Sequence, residues 1–284
     1  MSVIQDIELK GKKGKRLYAG IYILLAVMVI VQFFPMLWMF IGTFKTDPEL
    51  TSSIPTMFPE SWKFSNYAEA FQKYDVWKNL WNTVYIIVMS LVIQLTNSIF
   101  SAYALSVMKP KFGNAVQLAF LATMMFSGTA LMFPLYIQMT QMGLIGSKWA
   151  LILSSSVWAY AIIWFKSFFD NIPRDLFEAA KIDGASDLQI LGKIVLPLSK
   201  PIISVMCVNT FMAIYNDTVY PLMLLPEQKD WTIMIRLFVL NTAGTPKPSH
   251  MYVLLVVATI PSLIIYMIAQ KNLVEGVSTS GIKG

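Results

Sequence analysis

Six stretches of this chain are each long and apolar enough to cross a bilayer: residues 17–41, 80–108, 114–136, 149–165, 200–226 and 251–269, where one crossing takes roughly 20 apolar residues. Hydrocarbon offers an unpaired peptide group nothing to bond, so each crossing must close its hydrogen bonds within itself as a helix. With 56% hydrophobic and 13% charged positions among 284 residues, an ordinary water-soluble domain is excluded. The expectation is an all-α integral membrane protein, one domain over residues 1–284 with six transmembrane helices. The fourth stretch is the shortest, and Asp217 stands inside the fifth.

Basic residues beside a span resist translocation, whereas acidic ones matter little. Lys10, Lys12, Lys13, Lys15 and Arg16 precede the first span, Lys109 and Lys111 follow the second, and Lys271 and Lys283 follow the sixth. Lys166, Arg174, Lys181, Lys193 and Lys200 crowd the connection between the fourth and fifth. With the N-terminus inside, all of these share one side, so both termini and the loop at about 171–200 are expected in the cytoplasm. The net charge of +6 follows from this asymmetry and needs no nucleic-acid partner. A cleaved signal peptide is the rival reading of "KGKKGKRLYAGIYILLAVMVIVQFF". Its apolar run is too long and lacks a small-x-small cleavage site, so a retained first span is expected.

Between the first two spans, Pro48, Pro55 and Pro59 forbid one continuous helix, while Ser65 or Asn66 can cap a short one through Glu69 and Phe71. A later outer segment holds "WTIMIRLFVL", apolar enough to lie on the membrane surface or against a partner. Trp38, Trp81 and Trp149 lie near span ends, as amphipathic rings at the headgroup level do. The 18 methionines read as adaptable packing. Cys207 is the one cysteine and His250 the one histidine, which excludes an intrachain disulfide and argues against a histidine-based metal site.

The polar interruption "FEAAKIDGASDLQILGKIVLPLSKP" breaks this apolar pattern. Pro173 suits a first helical turn, after which Leu176, Phe177 and Ala180 share an apolar face. Gly184 permits a left-handed residue and a sharp reversal. Ser186 with Gln189 then reads as a capping box opening a second helix, along which Leu188, Leu191, Val195 and Leu198 recur at helical spacing. Such a hairpin can close the bottom of a bundle or engage a partner.

These residues resemble the EAA loop of ABC importer permeases: Glu178-Ala179-Ala180, Asp183-Gly184-Ala185, then Ile194, Leu196-Pro197 and Pro201 match in order and spacing. The resemblance covers nearly the whole chain, through "GTFKTDPEL", "FSNYAEAF", "FPLYIQMTQMGLIGSKWALIL" and "QKNLVEGVSTSGIKG". It is to MalG-type permeases of carbohydrate ABC importers, the binding-protein-dependent transport system inner membrane components. It implies the MetI/MalG-like fold, a bacterial or archaeal cytoplasmic membrane, and ATPase coupling through Glu178, Ala179, Ala180, Asp183, Gly184, Ala185 and Pro197. The implied partners are a second homologous permease, two cytoplasmic ATPase subunits, an extracytoplasmic sugar-binding protein and membrane lipid. A cytoplasmic tail at 273–284, with Ser278 to Gly284 reaching toward the ATPase dimer, is implied as well.

No G-x-x-x-x-G-K-[ST] stretch occurs, and "GLIGSK" has the wrong spacing. ATP and magnesium are therefore expected on the partner ATPases, with no cofactor in this chain. No hydrolytic motif or paired intramembrane carboxylate points to an enzyme. Polar residues inside spans face the bundle interior or a wet cavity. Ser90, Gln94, Asn97, Ser98 and Ser101 form one stripe in the second span; Asn209, Asn216, Asp217 and Tyr220 form another in the fifth. Gln94, Asn97, Tyr215, Asn216, Asp217 and Tyr220 are the candidates for a substrate path, with interhelical hydrogen bonding as the competing use. Asp217 departs from the Trp-Asn-apolar pattern of the resembling permeases. The alternatives kept open are an ABC permease for another small solute and an ion-coupled secondary carrier.

Overall fold

A computed structural model describes the backbone of residues 12–244 and 246–280, with side chains over 16–242, 244 and 246–270. The regular elements among them are helical: α1 (Lys12–Gly42), α2 (Asp47–Thr51), α3 (Ser65–Tyr74), α4 (Val76–Tyr103), α5 (Gly113–Thr123), α6 (Gly128–Gln141), α7 (Lys148–Ser154) and α8 (Ala159–Asp170). There follow α9 (Arg174–Ile182), α10 (Asp187–Ile190), α11 (Leu196–Leu198), α12 (Lys200–Asn216), α13 (Val219–Leu224), α14 (Ile233–Ala243) and α15 (Pro248–Ser280). One π-helical turn, Ala104–Met108, extends α4, and another, Leu191–Val195, joins α10 to α11. Of the expected tail at 273–284, α15 supplies backbone to Ser280, and 281–284 lie outside the described residues.

Among the described residues, three helices are long and apolar enough to cross a membrane unaided, over Arg16–Gly42, Val76–Met108 and Pro248–Gln270. The other candidates are bent pairs: α5 with α6 at 105°, α7 with α8 at 42°, and Asp187–Leu198 with α12 at 79°. The stretches 114–136 and 149–165, expected as continuous spans, are therefore each two helices. Local chemistry explains the breaks. Ser127 is extended ahead of Gly128, and its hydroxyl pairs with that of Thr129 at 2.7 Å. In the other pair, the Ser154 and Ser155 hydroxyls donate back to the carbonyls of Leu151 and Ile152 at 2.9 and 3.1 Å, which competes with helix continuation, and Trp158 is extended. The expected fifth span, 200–226, also breaks, at Asp217 and Thr218 between α12 and α13.

The chain gathers into two compact units, 1–73 with 245–257 and 74–244 with 258–284. In the first, α1 is apolar on every face and exposed along nearly its whole apolar length, as befits a helix solvated by lipid. The outer segment after it is knit by side chains. The Asn66 amide donates to the carbonyls of Thr43 and Lys45 at 2.8 and 2.9 Å, the Lys45 ammonium reaches the Thr56 carbonyl, and Thr46 with Glu49 forms a capping box over Pro48. Asp47 accepts from the backbone and hydroxyl of Ser249, and Glu69 from Lys247 at 3.2 Å.

In the second unit, α4 packs against α7, α8, α12 and α14. One apolar cluster joins Phe165 and Phe169 of α8 to Phe177, Ile190, Val195 and Met206; another joins Ile86, Ile152, Leu224, Trp231 and Ile235. The stretch "WTIMIRLFVL", expected on the membrane surface or a partner, is thus part of this core, with Ile233 and Ile235 fully buried. Its register is held by Thr83, whose hydroxyl accepts from the Ile233 backbone at 2.9 Å, and by the Asn82 amide, which donates to the Lys229 and Trp231 carbonyls.

Candidate functional site

Two sites emerge, both within the second unit. The first is the hairpin of α9, α10 and α11. Helix α9 ends in a Schellman motif: the Ala185 backbone donates to the Ala180 carbonyl at 2.9 Å and Gly184 to Lys181 at 3.1 Å. Gly184 takes a φ of 76°, which an L side chain adopts only with strain. The Ser186 hydroxyl accepts from the Gln189 backbone at 3.4 Å, while the Gln189 side chain accepts from the Ser186 backbone at 2.8 Å, so α10 starts with the expected capping box.

Phe177, Ala180, Ile190, Leu191 and Val195 bury themselves against α4, α8 and α12. Glu178, Ala179, Asp183, Gly184 and Pro197 are exposed, and Ala185 is half-buried. Ile182 is 86% and Leu188 69% exposed, so the apex carries apolar side chains that nothing in this unit covers. Of the residues expected to share apolar faces, Leu176, Leu188 and Leu198 are exposed, while Ile190, outside the expected set, is buried.

Residues that the sequence did not single out tie the hairpin to the C-terminal end of α4. The Tyr103 hydroxyl donates to Asp187 at 3.3 Å, and the Arg174 guanidinium donates to the Ser106 carbonyl at 3.3 and 3.4 Å. The Ser106 hydroxyl donates to Asp170 at 2.6 Å, whose other oxygen accepts from Lys166 at 2.7 Å. No motif marks the pairs of Tyr103 with Asp187 and of Ser106 with Asp170, because their members lie 84 and 64 residues apart.

The second site is a cavity of about 340 Å³ lined by α4, α6, α7, α12 and α13, with a neighbouring one of about 470 Å³. Helix breaks line both. Ser154, Ser155, Val157 and Trp158 come from the α7–α8 break and Asp217 and Tyr220 from the α12–α13 break, while Gly128 and Thr129 open α6 beside the second cavity. Irregular backbone at membrane depth is tolerated where it lines a cavity or is bonded by protein.

The expected path residues divide by use. The Asn97 amide donates to the Ser156 carbonyl at 3.0 Å, and the Tyr220 hydroxyl to the Gly128 carbonyl at 2.7 Å. Asp217 Oδ1 accepts from the Val219 and Tyr220 backbone at 3.0 and 3.2 Å and so caps α13. Each of the three pins a break. Asn216 bonds back to the Met212 carbonyl and faces the larger cavity. Tyr215 is buried, stacked on Phe211 at 5.2 Å, with its hydroxyl donated to the Ala258 carbonyl. Its ring also lines the smaller cavity.

Gln94 also lines that cavity, whereas Asn97 does not. Trp158, Thr210, Ser154 and Ser155 are lining residues that sequence reasoning missed; a tryptophan in a span reads as an interface ring until the break beside it is seen.

The model of the family described as binding-protein-dependent transport system inner membrane component matches residues 94–279. The galactooligosaccharides transport system permease protein GanQ of Bacillus subtilis (strain 168) is 31% identical, over 93% of this chain and 94% of its own. The diacetylchitobiose uptake system permease protein NgcG of Streptomyces coelicolor is 28% identical, over 91% and 86%. A crystal structure of a bacterial ABC transporter involved in the import of the acidic polysaccharide alginate superposes with a TM-score of 0.80 at 22% identity, covering 93% of this chain and 98% of that one. With the family model spanning the hairpin and most of the cavity lining, this chain belongs to the binding-protein-dependent transport system inner membrane components.

Proposed function

We propose that this chain is one of two permease subunits of an ATP-driven ABC importer for an oligosaccharide or related carbohydrate. The observation that carries the reading is the hairpin: a rigid reversal seated by its apolar face on the spans, presenting Glu178, Ala179, Ile182, Gly184 and Leu188 outward. Small Ala179 allows close approach, Glu178 offers a charged anchor, and the exposed apolar pair has area to bury in a partner's cleft. Among the curated relatives, GanQ and NgcG are named as permeases for galactooligosaccharides and diacetylchitobiose, which supports a saccharide.

On this reading a homologous permease completes the path, two cytoplasmic ATPases grip the hairpins from below, and an extracytoplasmic binding protein delivers the substrate. ATP and magnesium belong to the ATPases; this chain supplies docking, path and leverage. Both termini face the cytoplasm of a bacterial or archaeal cell, the side favoured by the basic residues.

The mechanism follows from connectivity. Closure of the ATPase pair displaces the hairpin, whose bonds to Tyr103 and Ser106 carry the displacement into α4. Further along, α4 also lines the cavity through Thr83, Ile86, Ile87 and Gln94. Gly184→Trp and Glu178→Lys, assayed in the reconstituted complex, are expected to insert normally and to lose saccharide-stimulated ATP hydrolysis. Wild-type stimulation in both variants would overturn the assignment of the hairpin.

A further inference from the structure

Building on the carbohydrate reading, we infer that the path in this chain takes an uncharged or cationic saccharide and disfavours a uronate. A crystal structure of this fold comes from an importer of the acidic polysaccharide alginate, so the fold does not decide the charge of the cargo; the lining does.

Among the described residues no Lys, Arg or His lines either cavity, and Asp217 is the one Asp or Glu in both linings. Its position is fixed, because Oδ1 holds two backbone donors at the α12–α13 break. An ionised carboxylate only accepts hydrogen bonds, so the group it recognises must donate. A sugar hydroxyl does so, and an amino-sugar ammonium does so with opposite charge. A uronate carboxylate only accepts and brings a like charge into a site where the low dielectric strengthens repulsion.

Two further polar atoms belong to the same cavity without a hydrogen-bond partner among the described residues. Gln94 is 4% exposed with Oε1 unbonded, and Thr210 is fully buried with Oγ1 unbonded. A buried polar atom left unpaired is costly, and a ligand hydroxyl that both donates and accepts satisfies either. The cavity, about 340 Å³, falls in the range of small-molecule sites.

The test uses the assembled complex in nanodiscs without its binding protein. Equilibrium binding is measured for cellobiose, for the β-1,4 glucosamine dimer and for cellobiouronate, and for the α-1,4 counterpart of each. The expected result is binding of an uncharged or amino member with its uronate congener weaker by about tenfold or more. Asp217→Asn keeps a good helix-capping residue, so the fold is retained. That variant is expected to remove most of the discrimination between a uronate and its uncharged congener.

Equal binding of uronate and uncharged congeners in the wild type, or discrimination unchanged in Asp217→Asn, overturns the inference. So does binding of no member of the panel, since the chain would then hold no saccharide at this place. Import of the same panel into proteoliposomes by the complete system judges the carbohydrate reading separately. Import of uncharged and uronate members alike would sink the charge preference and leave that reading standing.

Discussion

A peptide carbonyl freed from its helix in hydrocarbon has no water to turn to, and Asn97 supplies the missing donor at Ser156. Asn97→Ala is expected to lower the unfolding midpoint of the purified protein modestly, since such a bond is worth about 0.6 kcal/mol in membrane bundles. Gly42 works by size: a Cβ there would run into the ring of Tyr252. Gly42→Ala should therefore destabilise the first unit, and Tyr252→Ala should restore part of the loss; additivity in a thermal-melt double-mutant cycle would refute the contact.

Glu49 is held below the ordinary carboxylate range, first by the Thr46 hydroxyl and then by the backbone N–H groups of Glu60 and Thr46. A lowered folded pKa means its contribution is present above the unfolded value, about 4.3, and is lost as pH falls through the folded one. Proteolysis within 46–60 should rise on acidification below that value in wild type. In Glu49→Gln the rise should be absent.

At the scale of elements, the hairpin and the breaks obey different physics. The hairpin is held by local bonds, so Ser186→Ala should cost about 1 kcal/mol. It should speed hydrogen exchange at 187–190 and leave α4 unchanged. The breaks depend on partners far along the chain. The Ser154 and Ser155 hydroxyls loosen their own helix, but what stabilises the opened α7–α8 junction comes from Asn97, 59 residues from the Ser156 carbonyl it bonds. That is why continuous spans at 114–136 and 149–165 were a fair reading of hydropathy and an incomplete one: hydropathy registers how apolar a stretch is, not whether a distant side chain can satisfy a bend. The buried place of α14 has the same cause, its N-terminus being fastened to Thr83 of α4.

For the second unit as a whole, α4 is the member shared by both sites. Tyr103 and the Ser106 carbonyl at its C-terminal end hold the hairpin, and Gln94, buried partway along, lines the cavity. Arg174→Ala, which removes the bonds to the Ser106 carbonyl, is expected to lower saccharide import severalfold while saccharide-independent ATP hydrolysis persists. Import and hydrolysis that fall in equal proportion would show a loss of assembly and deny α4 this role.

By itself the sequence determined the membrane environment, the all-helical class and the hairpin at Glu178–Pro197. Length of apolar run, the left-handed tolerance of Gly184 and the reach of Ser186 to Gln189 all act within a few residues or through composition alone. Only the tertiary structure decided which helices bend, which polar side chains repair the bends and which, like Gln94 and Thr210, are left facing a cavity. A polar residue inside a span has several possible partners of equal chemistry, and the choice among them is made by what the packing of other helices brings within hydrogen-bonding distance.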